Sequence, residues 1–94
     1  MPTVSVKEPV FDFLRRLAPE PRQTIKRALK ELTKGRGDIR SLEQRLTGYY
    51  RLRAGKFRVV FRYTTSDEIE FIFAEERSMV YEVFESQFIS KLRE

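Results

Sequence analysis

Apolar residues recur along this chain in two periods, and the switch between them predicts its elements. Thr3–Lys7 alternates, with Val4 and Val6 on one side, as a short first strand does. Pro9 then opens a helical pattern carried by Val10, Phe11, Phe13, Leu14 and Leu17, which Pro19 and Pro21 break. Pro21 fits the first turn of a second helix, where its missing N–H removes no hydrogen bond. That helix, over 21–34, carries Ile25, Ala28, Leu29 and Leu32 as a narrow apolar stripe. Gly35 and Gly37 end it, and Leu42 and Leu46 are placed to form one short turn against the core.

Beyond Gly48 the period falls to two. Tyr49–Ala54 and Phe57–Tyr63 flank Gly55-Lys56, which reads as a two-residue II′ hairpin turn. Such a turn fixes the register. Leu52 faces Val59 and Tyr50 faces Phe61 on one side, while Arg53 faces Arg58 and Arg51 faces Val60 on the other. A third strand, Ile69–Glu75, follows a five-residue loop. It is expected to pair Phe61 with Phe71, Val59 with Phe73, Arg62 with Glu70, Val60 with Ile72 and Arg58 with Ala74. Val80, Val83, Phe84 and Phe88 suggest a short C-terminal helix, and Ser90–Glu94 a frayed end. The expectation is one α+β domain over residues 1–94, with two N-terminal helices packed on a mainly antiparallel twisted sheet.

Composition narrows the chemistry. The 94 residues include no Cys and no His. Thiolate and imidazole catalysis, zinc–thiolate sites and the HExxH motif are therefore excluded. The apolar runs are too short to span a membrane, and the first residues lack a basic region followed by an apolar stretch. A soluble cytoplasmic domain is expected, with no membrane partner.

Charge is segregated. The chain carries 19 Lys+Arg against 14 Asp+Glu, net +5. Residues 49–64 hold Arg51, Arg53, Lys56, Arg58 and Arg62 with no acid, whereas residues 67–85 are strongly acidic. Arg53 opposite Arg58 is a like-charge pair that disfavours the sheet. Arg51 lies two residues from Arg53 on the same face. Three guanidinium groups so placed suit a phosphodiester, since each forks onto two oxygens. The alternative is that they lie over the sheet and keep it soluble. Lys26 and Lys30 on the second helix either form a solvated face or help to steer a nucleic acid. Tyr81, four residues past Arg77, is either an anchor for the last helix or a base whose phenolate neighbouring cations stabilise. Glu75 and Glu76 adjoin the arginine face as alternative bases or as salt-bridge partners of Arg58 or Arg77.

The run from Leu46 to Phe61, LTGYYRLRAGKFRVVF, resembles the core motif of the RelE/ParE superfamily of bacterial toxins. Arg77-Ser78-Met79-Val80-Tyr81 resembles that family's closing R-x-x-V-Y. The likeness extends over essentially the whole chain. It implies the small RelE-like fold and the toxin role in a toxin–antitoxin system. The activity implied is metal-independent mRNA cleavage, typically on the ribosome, in which the RNA 2′-OH attacks the adjacent phosphodiester. It implies a cognate antitoxin, mRNA and the ribosome as partners, translation inhibition as outcome, and no cofactor or small-molecule substrate.

Position by position, Arg51 and Arg53 match catalytic lysines of the RelE prototype, Arg58 its phosphate-stabilising arginine, Tyr81 its tyrosine and Arg77 a frequent arginine. Tyr49, Lys56 and Arg62, with Lys26 and Lys30, are the expected RNA contacts. The chain departs from the prototype in using arginine, which holds its proton, where the prototype has lysine. It also has Glu75 where the prototype has an arginine. Two other outcomes of the same fold are a ParE-like inhibitor of DNA gyrase and a toxin that has lost catalysis. Arg58→Ala is expected to abolish toxicity and leave the fold intact.

Overall fold

A computed structural model describes residues 2–65 and 67–76. Strand β1 (Thr3–Val6) leads into helix α1 (Glu8–Arg16), helix α2 (Pro19–Thr33), strand β2 (Asp38–Ser41) and a single 3-10 turn (Gln44–Leu46). Strands β3 (Tyr50–Ala54), β4 (Phe57–Thr65) and β5 (Glu68–Glu76) follow. They form one mixed sheet in the order β1-β5-β4-β3-β2. β1 runs parallel to β5 at one edge and every other pair is antiparallel. The C-terminal helix expected around 80–88 lies outside the described residues.

α2 begins at Pro19, two residues before the expected start. The first N–H groups of a helix have no partner within it, so proline at its first and third positions removes nothing. The helical bonds then start with Arg22 N–H donating to Ala18 O at 3.1 Å. At the other end Gly35, at φ 78°, takes the left-handed conformation of a Schellman cap. Gly35 N–H donates to Leu32 O and Arg36 N–H to Glu31 O.

α1 and α2 cover one face of the sheet. Val10 and Phe13 from α1, and Ile25 and Leu32 from α2, are buried against Leu52, Phe57, Val59, Phe61 and Phe71. Phe13 meets Phe57 edge-on, with ring centres 5.7 Å apart. Arg22 ties the two helices together. Its Nε donates to Leu14 O at 2.9 Å and its Nη2 to Leu17 O at 2.8 Å, satisfying carbonyls at the end of α1. Arg22→Ala is expected to cost about 1–2 kcal/mol through the freed carbonyls, read as a lower urea midpoint at unchanged slope.

The β3–β4 register is the one the hairpin turn implies, from Tyr50–Phe61 to Ala54–Phe57. Gly55 at φ 61° is the turn residue that requires it. The β4–β5 register holds from Phe61–Phe71 to Tyr63–Ile69 and then slips by one residue. Val60 pairs with Phe73, Val59 with Ala74 and Arg58 with Glu75, which corrects the three expected pairs. Ile72 is the extra residue of a β-bulge. The cause is that Phe71-Ile72-Phe73-Ala74 is apolar throughout, so alternation does not choose which residue faces the helices. Ala74 takes the place against Val59. Phe73 moves to the opposite face, with Val60, Ile72, Leu42, Leu46 and Tyr49. Leu42 and Leu46 thus pack, as expected of a short turn, but on a second small core and not beneath the helices.

β2 is a further correction, since the sequence reading has only a loop there. Its pattern, Asp-Ile-Arg-Ser, offers a single apolar residue, and pairing with β3 makes it a strand. Among the described residues, no helix is long and apolar enough to cross a membrane.

Candidate nucleic-acid interface

The face of the sheet away from the helices carries the arginines, and strand register arranges them in rows. Asp38, Arg53, Arg58 and Glu75 stand opposite one another across β2, β3, β4 and β5. The next row is Arg40, Arg51, Val60 and Phe73. Neighbouring strands lie about 4.8 Å apart, so directly opposed arginines such as Arg53 and Arg58 come within reach of one phosphodiester.

The two rows contain two like-charge pairs, Arg53–Arg58 and Arg40–Arg51, which carboxylates offset. Asp38 Oδ1 lies 3.7 Å from Arg51 Nη1, and Asp38 Oδ2 lies 3.8 Å from Arg53 Nη1. Both separations are too long for directed hydrogen bonds, so attraction of charge is what holds the three groups. The Arg51 side chain is only 9% exposed, and its enclosed Nη1 has no hydrogen-bond partner among the described residues. A buried donor left without an acceptor costs about 1–3 kcal/mol.

Arg58 is buried too, and serves the fold directly. Its Nη1 donates to Gly55 O at 2.9 Å and to Phe57 O at 2.8 Å, folding the guanidinium over its own hairpin turn. The arginines are therefore not equally exposed, as an open sheet face suggests. Arg53 is half exposed, while Arg51 and Arg58 form a charged floor beneath it. These bonds give Arg58 a part in holding the hairpin turn, beside the phosphate-binding part expected of it.

The other sequence candidates divide by position. Glu75 reaches the arginine face because the Ile72 bulge turns it there, opposite Arg58. Glu76 pairs with Phe57 and makes an ion pair with Lys56 at 3.8 Å near the hairpin tip, away from the row. Lys56 also lies 5.4 Å over the Phe57 ring. Arg62 sits further along the same face as the arginines. Its Nε donates to Glu70 Oε1 at 2.9 Å and its guanidinium lies 5.8 Å over the Tyr49 ring. Glu70 is also 3.6 Å from Lys7 Nζ. Lys26 and Lys30 are exposed on α2, which packs on the opposite face of the sheet, so the fold does not bring them to the arginine rows. Arg77 and Tyr81 lie outside the described residues.

Asp38 and Arg40 are absent from the sequence reading because β2 is. The alternation Asp38-Ile39-Arg40 is the one local signal that places both on a single side of a strand. Among the described residues, no three carboxylates converge as a metal site.

No family model matches this chain, and no curated protein matches its sequence. Solved structures do match. The fold is that of the RelE/ParE-like toxins of toxin–antitoxin systems. One match is the RelBE2 toxin–antitoxin complex of Mycobacterium tuberculosis, at TM-score 0.69 and 20% identity, covering 82% of this chain and 92% of that one. Another is the RelB–RelE antitoxin–toxin complex of Methanococcus jannaschii, at TM-score 0.66 and 21% identity, covering 85% and 98%. YafQ of Escherichia coli matches at TM-score 0.65 and 10% identity, covering 86% and 99%. At these identities the match defines the fold, and function has to be argued from the site.

Proposed function

We propose that this chain is the toxin of a toxin–antitoxin pair and acts as a metal-independent endoribonuclease on mRNA, with the ribosome as the setting. The observation that supports this most is the row Arg53–Arg58–Glu75, which sets a carboxylate in register beside paired arginines on a concentrated basic face. In this reading Arg53 meets the phosphate first and Arg51 Nη1 donates to a non-bridging oxygen. Arg58 adds positive charge beneath. Developing charge on the phosphorane is thereby met by groups already in position.

The RNA 2′-oxygen attacks phosphorus, the bond to the 5′-oxygen breaks, and a 2′,3′-cyclic phosphate remains. The 2′ proton passes to Glu75 or to Tyr81, and the 5′-oxygen takes a proton from solvent with Arg77 offsetting its charge. Tyr49 and Arg62 extend the contact along the strand, since an aromatic ring and a guanidinium both stack on unpaired bases. The partner that holds the toxin inactive is an antitoxin with an acidic or amphipathic segment that covers this face.

Expression of the chain alone, followed by primer extension on cellular mRNA, tests the proposal. Codon-phased cuts in that mRNA support it. Intact mRNA with a DNA-damage response identifies a gyrase inhibitor, and absence of any growth arrest identifies a toxin without catalysis. A quantitative expectation concerns Arg53, the exposed member of the row. Arg53→Ala should weaken binding of a single-stranded RNA by about tenfold at low salt. It should also flatten the plot of log K against log salt by about 0.7, the loss of one phosphate contact.

A further inference from the structure

We infer that Asp38 is an internal counter-anion. In the free protein it holds Arg51 and Arg53 together in place of a phosphate, and it competes with the phosphodiester that displaces it. The inference rests on the reading of the arginine face as an RNA-binding surface and names how that surface is tempered.

Three observations carry it. First, Asp38 alone among the described carboxylates makes ion pairs with both Arg51 and Arg53, using one oxygen for each. It spans the two guanidinium groups much as the two free oxygens of a phosphodiester would. Second, the fit is loose. At 3.7 and 3.8 Å the carboxylate makes no hydrogen bond, and the enclosed Arg51 Nη1 is left as a donor without an acceptor. A phosphate oxygen brought closer satisfies the donor that Asp38 does not. Third, Asp38 is able to leave. Its side chain is 56% exposed, and it sits on β2, which is an edge strand of the sheet among the described residues.

The groups around Asp38 agree with this role. Arg53 and Arg58 are directly opposed, and so are Arg40 and Arg51, so four cations crowd the two rows. Glu75 stands at the far end of the first row, beyond Arg58. Without a carboxylate at the β2 end, repulsion would drive the half-exposed Arg53 away from the enclosed Arg51. With it, the pair is preset for a bidentate anion. The consequence is a repulsive term in the complex, because a phosphodiester must settle beside a carboxylate only a few ångströms away.

The test is equilibrium binding of a fluorescent 2′-O-methyl RNA oligonucleotide, which has no 2′-hydroxyl to react, to the full chain. Asp38→Asn keeps the size and polarity of the side chain and removes its charge. It is expected to tighten binding by about 3–30-fold at low salt, the effect of one unit charge a few ångströms away at the protein surface. The melting temperature should stay within a few degrees of wild type. Glu20→Gln, which changes net charge equally on the helix side of the sheet, should leave affinity within about twofold.

Unchanged or weaker binding by Asp38→Asn overturns the inference and makes Asp38 a purely structural partner. Equal tightening by Glu20→Gln overturns it as well, since net charge would then suffice. If Asp38→Asn unfolds, Asp38→Ser is measured against the same limits. Wild-type protein that does not bind the oligonucleotide overturns both the inference and the function on which it rests. Wild-type binding that Arg53→Ala weakens, with no gain in Asp38→Asn, overturns the inference alone.

Discussion

Arg58→Ala is expected to lower the melting temperature by about 10–25 °C. The buried guanidinium donates two charge-assisted bonds to carbonyls of its own turn, Gly55 O and Phe57 O. Truncation leaves both carbonyls without that donor beneath the sheet face. The loss is about 2–4 kcal/mol, and in a domain of this size each kcal/mol moves the midpoint by about 4–8 °C. Relief of the Arg53–Arg58 repulsion returns only part of this, because a single cross-strand like-charge pair is worth less than about 1 kcal/mol. Arg58→Lys should fall between the two, since a single ammonium nitrogen can replace Nη1 as donor, but its flexible stem holds it there less firmly than the planar guanidinium. Thermal denaturation followed by circular dichroism reads the effect. A melting temperature for Arg58→Ala within two or three degrees of wild type would show that the turn does not depend on these bonds. The practical consequence is that loss of toxicity in Arg58→Ala does not by itself implicate Arg58 in chemistry. Arg53→Ala is the cleaner probe, because Arg53 is half exposed and bonded to no backbone carbonyl among the described contacts.

Glu75→Gln is expected to reduce single-turnover RNA cleavage by about 10²–10⁴-fold, the range of a lost general base, while leaving RNA affinity the same or slightly tighter. The glutamine keeps the shape and hydrogen-bonding capacity of the side chain and removes only its ability to take a proton. Stability should hardly change, because Glu75 is half-buried at the end of β5. Tyr81→Phe provides the comparison. A large loss in Glu75→Gln with a small one in Tyr81→Phe assigns the 2′ proton to the carboxylate, and the reverse assigns it to the phenol. Wild-type cleavage rates in both variants would remove both residues from that step and leave the arginines as the whole of the machinery.

The bulge links these expectations to the fold. Strict alternation puts Ala74 opposite Arg58 and turns Glu75 toward the helices. The insertion of Ile72 reverses this, placing Ala74 in the tight space against Val59 and Glu75 on the arginine face. A residue with no chemistry of its own thereby decides whether a carboxylate stands beside the cations. Bulges serve this purpose elsewhere, re-aiming side chains next to functional sites.

Short-range physics accounts for what could be read from the chain itself. The β3–β4 hairpin was legible because a two-residue turn beginning with glycine permits one register, and that register alone places Arg53 beside Arg58. Both helices were legible from their apolar stripes. The fold class, and the resemblance of residues 46–61 to RelE/ParE toxins, agree with the solved structures that match. Long-range packing decided the rest. Four consecutive apolar residues in β5 left its register to the two cores, one on each side of the sheet. β2 has too little pattern to declare itself and exists because β3 offers an unpaired edge, and with it came Asp38 and Arg40. Burial was the last thing decided by tertiary structure. Arginines that alternate onto one face look equivalent in a sequence, but Arg58 is drawn down onto its turn carbonyls and Arg51 is enclosed, while Arg53 stays in water. Side-chain alternation determines the face a charge occupies, and only three-dimensional packing determines how much solvent reaches it.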